Sequence, residues 1–257
     1  DTLAAAYAEW GDFAKAVEFQ ERALELVDAA EKADFGERLE EYRAGRPHRS
    51  PDMRNTLVAR WNKEADAKVA RKEYANGRDL YALVLKIAPD DFHALLHHAD
   101  TFYSVKDYQS AIAGYDRALA IDPDRYEPWY WRGDAWTKLG EHANAIADYD
   151  EAIRRRPRDW HLYSARAAAE RKQGDPSRAV LDLSLALHVA KSPADRAVVH
   201  ARRAEAWREQ GDDQAAAADY ISAAGLAPRV ANYWRNAAEI LAGLHSDIVR
   251  DGRRAGE

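Results

Sequence analysis

Apolar residues recur along most of the chain at steps of three and four, the period of one helical face. The pattern is clearest in residues 92–125. Leu95, Ala99, Phe102 and Val105 mark one stripe, Lys106-Asp107-Tyr108 interrupts it, and Ala111, Ile112, Tyr115, Ala118 and Leu119 mark a second. Asp122-Pro123-Asp124 ends the second stripe, because proline cannot continue a helix and biases its predecessor away from helical geometry. The segment predicts two amphipathic helices joined by a tight turn. Such a pair cannot bury both stripes alone, so each hairpin needs neighbours.

The neighbours are written in the same chain. Pro89, Pro123 and Pro157 stand 34 residues apart, and Tyr81, Tyr115 and Tyr149 keep the same interval. Ala111 and Ala118 recur as Ala145 and Ala152. Self-similarity of this period predicts a helical repeat array. In residues 126–159 the small and large positions fall as Trp129, Gly133, Trp136, Gly140, Ala145, Tyr149, Ala152 and Pro157. On these residues the chain resembles the tetratricopeptide repeat family. The resemblance implies an all-α solenoid of helix-turn-helix repeats wound as a right-handed superhelix. Gly133, Ala145 and Ala152 then permit close helix crossing, and Trp129 and Trp136 fill the space between hairpins.

In chain order, residues 1–44 read as a truncated repeat hairpin with extended helical sequence, turning at Gly11-Asp12-Phe13. Counted back from Gly11, the unit would begin before Asp1, so a piece of a longer protein is expected. The wording of this segment resembles the end of repeat arrays in large bacterial multidomain proteins. The Gly- and Pro-containing stretch at residues 45–57 predicts a linker or sharp corner, or else a long loop within one array. Five repeats are expected at 58–91, 92–125, 126–159, 160–193 and 197–230. The first has Glu64 and Lys68 at apolar positions, so its first helix should be partly exposed. Asp175-Pro176 and Ser192-Pro193 read as helix starts, a capping residue followed by proline. The step from Pro157 to Pro228 is 71 residues, which lengthens one first helix by just under a turn. Residues 231–249 predict a capping helix with a polar outer face, and 250–257 a charged, frayed tail.

Composition adds little to this picture. Of the 257 residues 47% are hydrophobic and 32% charged, and the formal net charge of −6 argues against a nucleic-acid surface. With no cysteine there are no disulfides and no thiolate metal sites. No apolar run approaches the roughly 20 residues of a membrane span, so a cytoplasmic protein is expected.

The family resemblance also implies where a partner would sit. Groove positions of the first helices carry over to His93, Leu96, Asp100 and Tyr103, then Glu127, Tyr130, Asp134 and Lys138, then His161, Arg171 and Lys172. Steps of three and four keep such positions on one face. The basic clamp that some relatives use on acidic chaperone tails is absent, since His93, His97, Tyr130 and Asp134 occupy those places. His93, His97 and Asp100 have helical spacing suited to a metal, but without a matched ligand on another helix they read as surface or packed side chains. The run Arg154-Arg155-Arg156-Pro157-Arg158 reads as solvated charge favourable to a helix C-terminus, with phosphate binding as the sharper alternative. Trp131 and Trp160 are candidate partner anchors. No metalloprotease, phosphate-loop or nucleophile-elbow motif is found. The expectation is a non-enzymatic scaffold without cofactor that takes a peptide or protein segment in its groove. The alternative is the regulatory repeat region of a larger bacterial enzyme, such as a signalling kinase whose catalytic part lies upstream.

Overall fold

The computed structural model describes residues 2–9, 11–26, 32–46 and 51–254. Among the described residues there are fourteen α-helices and no strand, an all-α array of helix pairs. The chain divides into two compact units, Asp1–Ile121 and Asp122–Glu257.

The amino-terminal unit opens with α1 (Thr2–Glu9), α2 (Phe13–Leu26) and α3 (Lys32–Arg43). Helix α3 packs back on α2. Its Tyr42 is fully buried beside Ala4, Ala8 and Ala16, and buried Gln20 donates to the Phe35 carbonyl at 3.0 Å. The unit continues with α4 (Pro51–Ala70), α5 (Tyr74–Ile87), α6 (Phe92–Ser104) and α7 (Tyr108–Ile121), each packed on the next. Helix α4 starts at Pro51, inside the stretch expected as a linker. Proline's fixed φ suits a first helical turn, so this proline starts a helix where its companions end one. Gly45 and Arg46 form a turn after α3, and residues 47–50 of that stretch lie outside the described residues. As the sequence suggests, Glu64 is exposed on α4, while Trp61 and Ala65 join Tyr81 and Val84 in the core.

The carboxy-terminal unit holds three hairpins: α8 (Tyr126–Leu139) with α9 (His142–Arg155), α10 (Trp160–Gln173) with α11 (Pro176–Val189), and α12 (Pro193–Gln210) with α13 (Asp213–Leu226). Helix α12 has 18 residues against 14 in α8 and α10, four more where the proline spacing predicts three. Asp175 and Ser192 cap α11 and α12, accepting from Arg178 N at 3.1 Å and Asp195 N at 3.0 Å. A Cβ on Gly133 would stand 3.0 Å from the Tyr149 ring, so glycine permits that crossing. The hairpin turns need a left-handed residue. Gly140, Gly174 and Gly211 supply it here, while the amino-terminal unit uses Gly11 between α1 and α2 and then Lys72 and Lys106 at φ 64° and 66°.

One recurring contact is not predicted by the apolar pattern. In each of these hairpins a first-helix arginine grips a second-helix aspartate with two nitrogens. Arg132 reaches Asp148 at 2.8 and 2.6 Å, Arg166 reaches Asp182 at 2.6 Å twice, and Arg203 reaches Asp219 at 2.8 and 2.9 Å. The three aspartates are nearly buried. A two-point fork fixes the rotation of one helix against the other in a way that alanine contacts cannot. Burial by itself would raise the Asp219 carboxyl; hydrogen bonds from Arg203 and His200 outweigh it and hold the group below the usual carboxylate range.

Helix α14 (Ala231–Arg254) closes the unit. It buries Ala237 and Ile240 against Ala216 and Tyr220, and it runs through residues expected as a frayed tail. Its outer face is not simply polar: Trp234 and Leu241 are about half exposed there. By helical period Trp234 and Leu241 flank buried Ala237, so they form an apolar margin beside the buried stripe. Among the described residues, no helix is long and apolar enough to cross a membrane.

Candidate functional site

In the amino-terminal unit the expected groove positions on α6 are mostly engaged with their own neighbours. His93 Nε2 lies 3.0 Å from Asp66 on α4, and His97 Nδ1 lies 2.9 Å from Asp100. The tyrosines behind complete the network, Tyr81 donating to Asp66 at 2.5 Å and Tyr115 to Asp100 at 2.7 Å. The hydrogen bond to Asp100 raises the His97 imidazole above its ordinary value against the opposing pull of burial. Tyr103 stacks edge-on against Tyr108 at 5.4 Å. Leu96 is buried, so it serves the core and offers no surface to a partner. No group of three or more metal-ligating side chains converges among the described residues.

The carboxy-terminal unit brings its first helices together around a real depression. A cavity of about 420 Å³ is lined by Tyr130 and Asp134 of α8, His161 and Ser164 of α10, and Arg202 and Glu205 of α12. Its floor is α10, where the small residues Ala165 and Ala168 make room. Ala168 stands at the register that Asp134 and Glu205 occupy on the flanking first helices, so a missing side chain creates the space.

The walls differ in what they leave available. Glu205 pairs with Arg171 at 2.7 Å, and Glu209 takes the same guanidinium through two contacts of 2.9 and 2.6 Å. Arg171, expected as a groove position, is a bridge between α10 and α12. Its pairing was hidden in the sequence because the acids lie one repeat away, on the lengthened α12. Asp134 has Lys138 at 4.0 Å. His161 contacts Asp159 at 3.1 Å and stacks on Trp160 with ring centres 3.8 Å apart. Tyr130 packs against Trp131 and Tyr149, and burial, then Asp134, raises its phenol. Glu127 sits at the start of α8 with Arg125 at 3.2 Å, away from the cavity lining. Lys138 and Lys172 are exposed.

Arg202 lies outside the groove positions carried over from the family, and with Arg203 it reads in the sequence only as a solvated basic pair or a phosphate contact. It donates to the hydroxyl of buried Ser164 at 2.5 Å and lies 6.0 Å from the Trp160 ring centre. The conspicuous run at residues 154–158 is largely consumed within its own unit. Arg154 and Arg155 pair with Glu151 at 2.7 and 2.6 Å, Arg155 also reaches the Pro123 carbonyl, and Arg156 covers Tyr126 at 4.1 Å. Trp129 is only partly buried, with Arg132 and Arg155 about 5 Å from its ring, so it packs under guanidinium groups rather than filling a sealed core.

Paired helices in register, with a side-chain-lined depression across the first helices, define a helical-repeat protein. A tetratricopeptide repeat model matches residues 62–126, 96–159 and 133–196, and a second model of that repeat matches 2–26. These matches span more than half of the chain, which belongs to the tetratricopeptide repeat family. No curated protein sequence matches it. Among solved structures it is similar to MamA from Desulfovibrio magneticus RS-1, at 14% identity and TM-score 0.62, covering 67% of this chain and 96% of that one. A thermophilic repeat protein from Thermus thermophilus superposes with TM-score 0.54 at 20% identity, covering 72% and 99%. YrrB, described as a repeat protein with an unusual peptide-binding site, gives TM-score 0.58 at 13% identity, covering 68% and 89%. At these identities the likeness concerns the fold.

Proposed function

We propose that the protein is a non-enzymatic interaction scaffold and that the first-helix face of its carboxy-terminal unit receives a peptide or partner segment. The observation that carries this reading is the depression between α8, α10 and α12. It combines an aromatic wall at Tyr130, a small-residue floor at Ala168 and polar groups from three helices. That mixture suits docking of side chains from an extended segment. The peptide-binding site named for YrrB is a supporting parallel on a similar fold. The other expected groove residues of this unit, Glu127, Lys138 and Lys172, would at most contact flanking parts of the segment.

The test is a comparative pull-down with the full chain and a variant carrying Tyr130→Ala and Ala168→Phe. The variant removes the aromatic wall and fills the floor at an exposed helix position, so helicity should be unchanged. Loss of captured partners by the variant supports the assignment; an identical captured set rules the face out.

A further inference from the structure

Resting on that reading, the geometry points to a carboxylate as the group received: we infer that the α8–α10–α12 cavity takes an acidic side chain of an extended peptide, gripped by Arg202 and Tyr130. The argument is a census of which polar groups in the cavity are already used. Glu205 shares Arg171 with Glu209, at 2.7 Å, and Asp134 has Lys138 at 4.0 Å, so each cavity acid already faces a cation. The Arg171 guanidinium is in turn taken up by Glu205 and Glu209. His161 is occupied by Asp159.

The donors are in a different state. Arg202 has five N–H groups, and its one hydrogen bond is to Ser164 at 2.5 Å; no carboxylate pairs with it among the described residues. The Tyr130 hydroxyl lines the same cavity and donates to no acceptor among the described residues. Ser164 is 1% exposed, so the contact tethers the guanidinium of solvent-exposed Arg202 to the cavity floor. The Trp160 ring supports it further. A guanidinium held in place with donors to spare is suited to a planar carboxylate, which accepts two parallel hydrogen bonds. A phenol lining the same cavity can supply a third. A lysine or arginine from a partner would meet Arg202 and find both cavity acids already paired.

This donor set differs from the basic clamp whose residues are missing here. It uses an arginine on α12, next to the Arg203 that forms the fork to Asp219.

The inference is tested by panning phage-displayed random dodecapeptides against the full chain, then measuring synthetic copies by fluorescence anisotropy. Enriched peptides should share an aspartate or glutamate. Changing that residue to asparagine or glutamine should weaken binding about tenfold or more, the scale of a charge-assisted contact. Arg202→Gln should do the same, Arg202→Lys should restore part of the loss, and Tyr130→Phe should weaken binding by a smaller factor. The substitution in the peptide leaves the protein untouched, so it decides the matter even where an Arg202 variant folds poorly. Enriched peptides that lose binding to the Tyr130→Ala, Ala168→Phe variant but lack an acid, or ignore its removal, overturn the carboxylate while leaving the docking face. Tighter binding of a phosphoserine copy than of the glutamate peptide also overturns it. Peptides indifferent to the cavity-filling variant, or no enrichment at all, remove the docking face and this inference together.

Discussion

Glu170 is the least comfortable side chain in the carboxy-terminal unit, and removing its charge should stabilise the protein in a pH-dependent manner. It lies on α10 at 5% exposure, with Oε2 lacking a hydrogen-bond partner. Burial, reinforced by Asp182, pushes its carboxyl up to about 7, against the opposing influence of Arg166 and Arg178. The folded protein therefore holds this proton more tightly than the unfolded chain, whose glutamates titrate near 4.5. Below that lower value both states are protonated and no penalty exists. As pH rises through about 7 the folded state is forced to ionise and the penalty becomes complete. Linkage gives roughly 3 kcal/mol at about pH 8 and under roughly 1 kcal/mol at about pH 5. Glu170→Gln keeps the shape without the charge, and Glu170→Leu removes the polar group. Urea denaturation followed by far-ultraviolet circular dichroism should show each variant gaining on wild type by about 2 kcal/mol between those two pH values. Taking the difference between variant and wild type cancels other titrating groups, such as His97 and Asp219. A stability gap that stays constant from pH 5 to pH 8, or a loss of stability in Glu170→Gln at the higher pH, would refute the assignment of an ionised, poorly solvated carboxylate.

Two further outcomes probe what holds the hairpins. Asp148→Ala removes the fork partner of the half-buried Arg132 guanidinium and should cost about 2 kcal/mol in urea denaturation, whereas joint replacement by Arg132→Met and Asp148→Leu should come close to neutral. A small effect of the single change would mean that the fork contributes little to hairpin geometry. Lys106→Gly relieves a left-handed backbone at φ 66°. The relief exceeds the added flexibility of glycine in the unfolded chain, so a gain of about 0.5–1 kcal/mol is expected in thermal melts, and an unchanged or lower midpoint would count against strain at that turn.

The helices themselves were legible because their information is local. The three- and four-residue apolar steps, the evenly spaced Pro89, Pro123 and Pro157, and the Asp175-Pro176 and Ser192-Pro193 starts each act within a turn or two of backbone. Pro51 shows the limit of that reading: proline begins a helix as readily as it ends one, and the neighbours that choose between these roles are not adjacent in sequence. Leu96 shows another limit. A register transferred from a family places a residue on a face but does not say how deeply a neighbouring helix covers it.

Repeat length, hairpin order and the small residues at crossings follow from the amino-acid order, because each hairpin repeats nearly the same local instructions. The uses of charge follow from packing. Whether Arg171 is a free cation or a bridge depends on Glu205 and Glu209, which approach only when α10 and α12 lie side by side. The Arg132–Asp148, Arg166–Asp182 and Arg203–Asp219 forks left a sixteen-residue spacing in the sequence. That spacing gained meaning only once the hairpins closed. Hydrophobic period is a property of a single helix, whereas the partner of a long charged side chain is chosen across helices, by distance and burial.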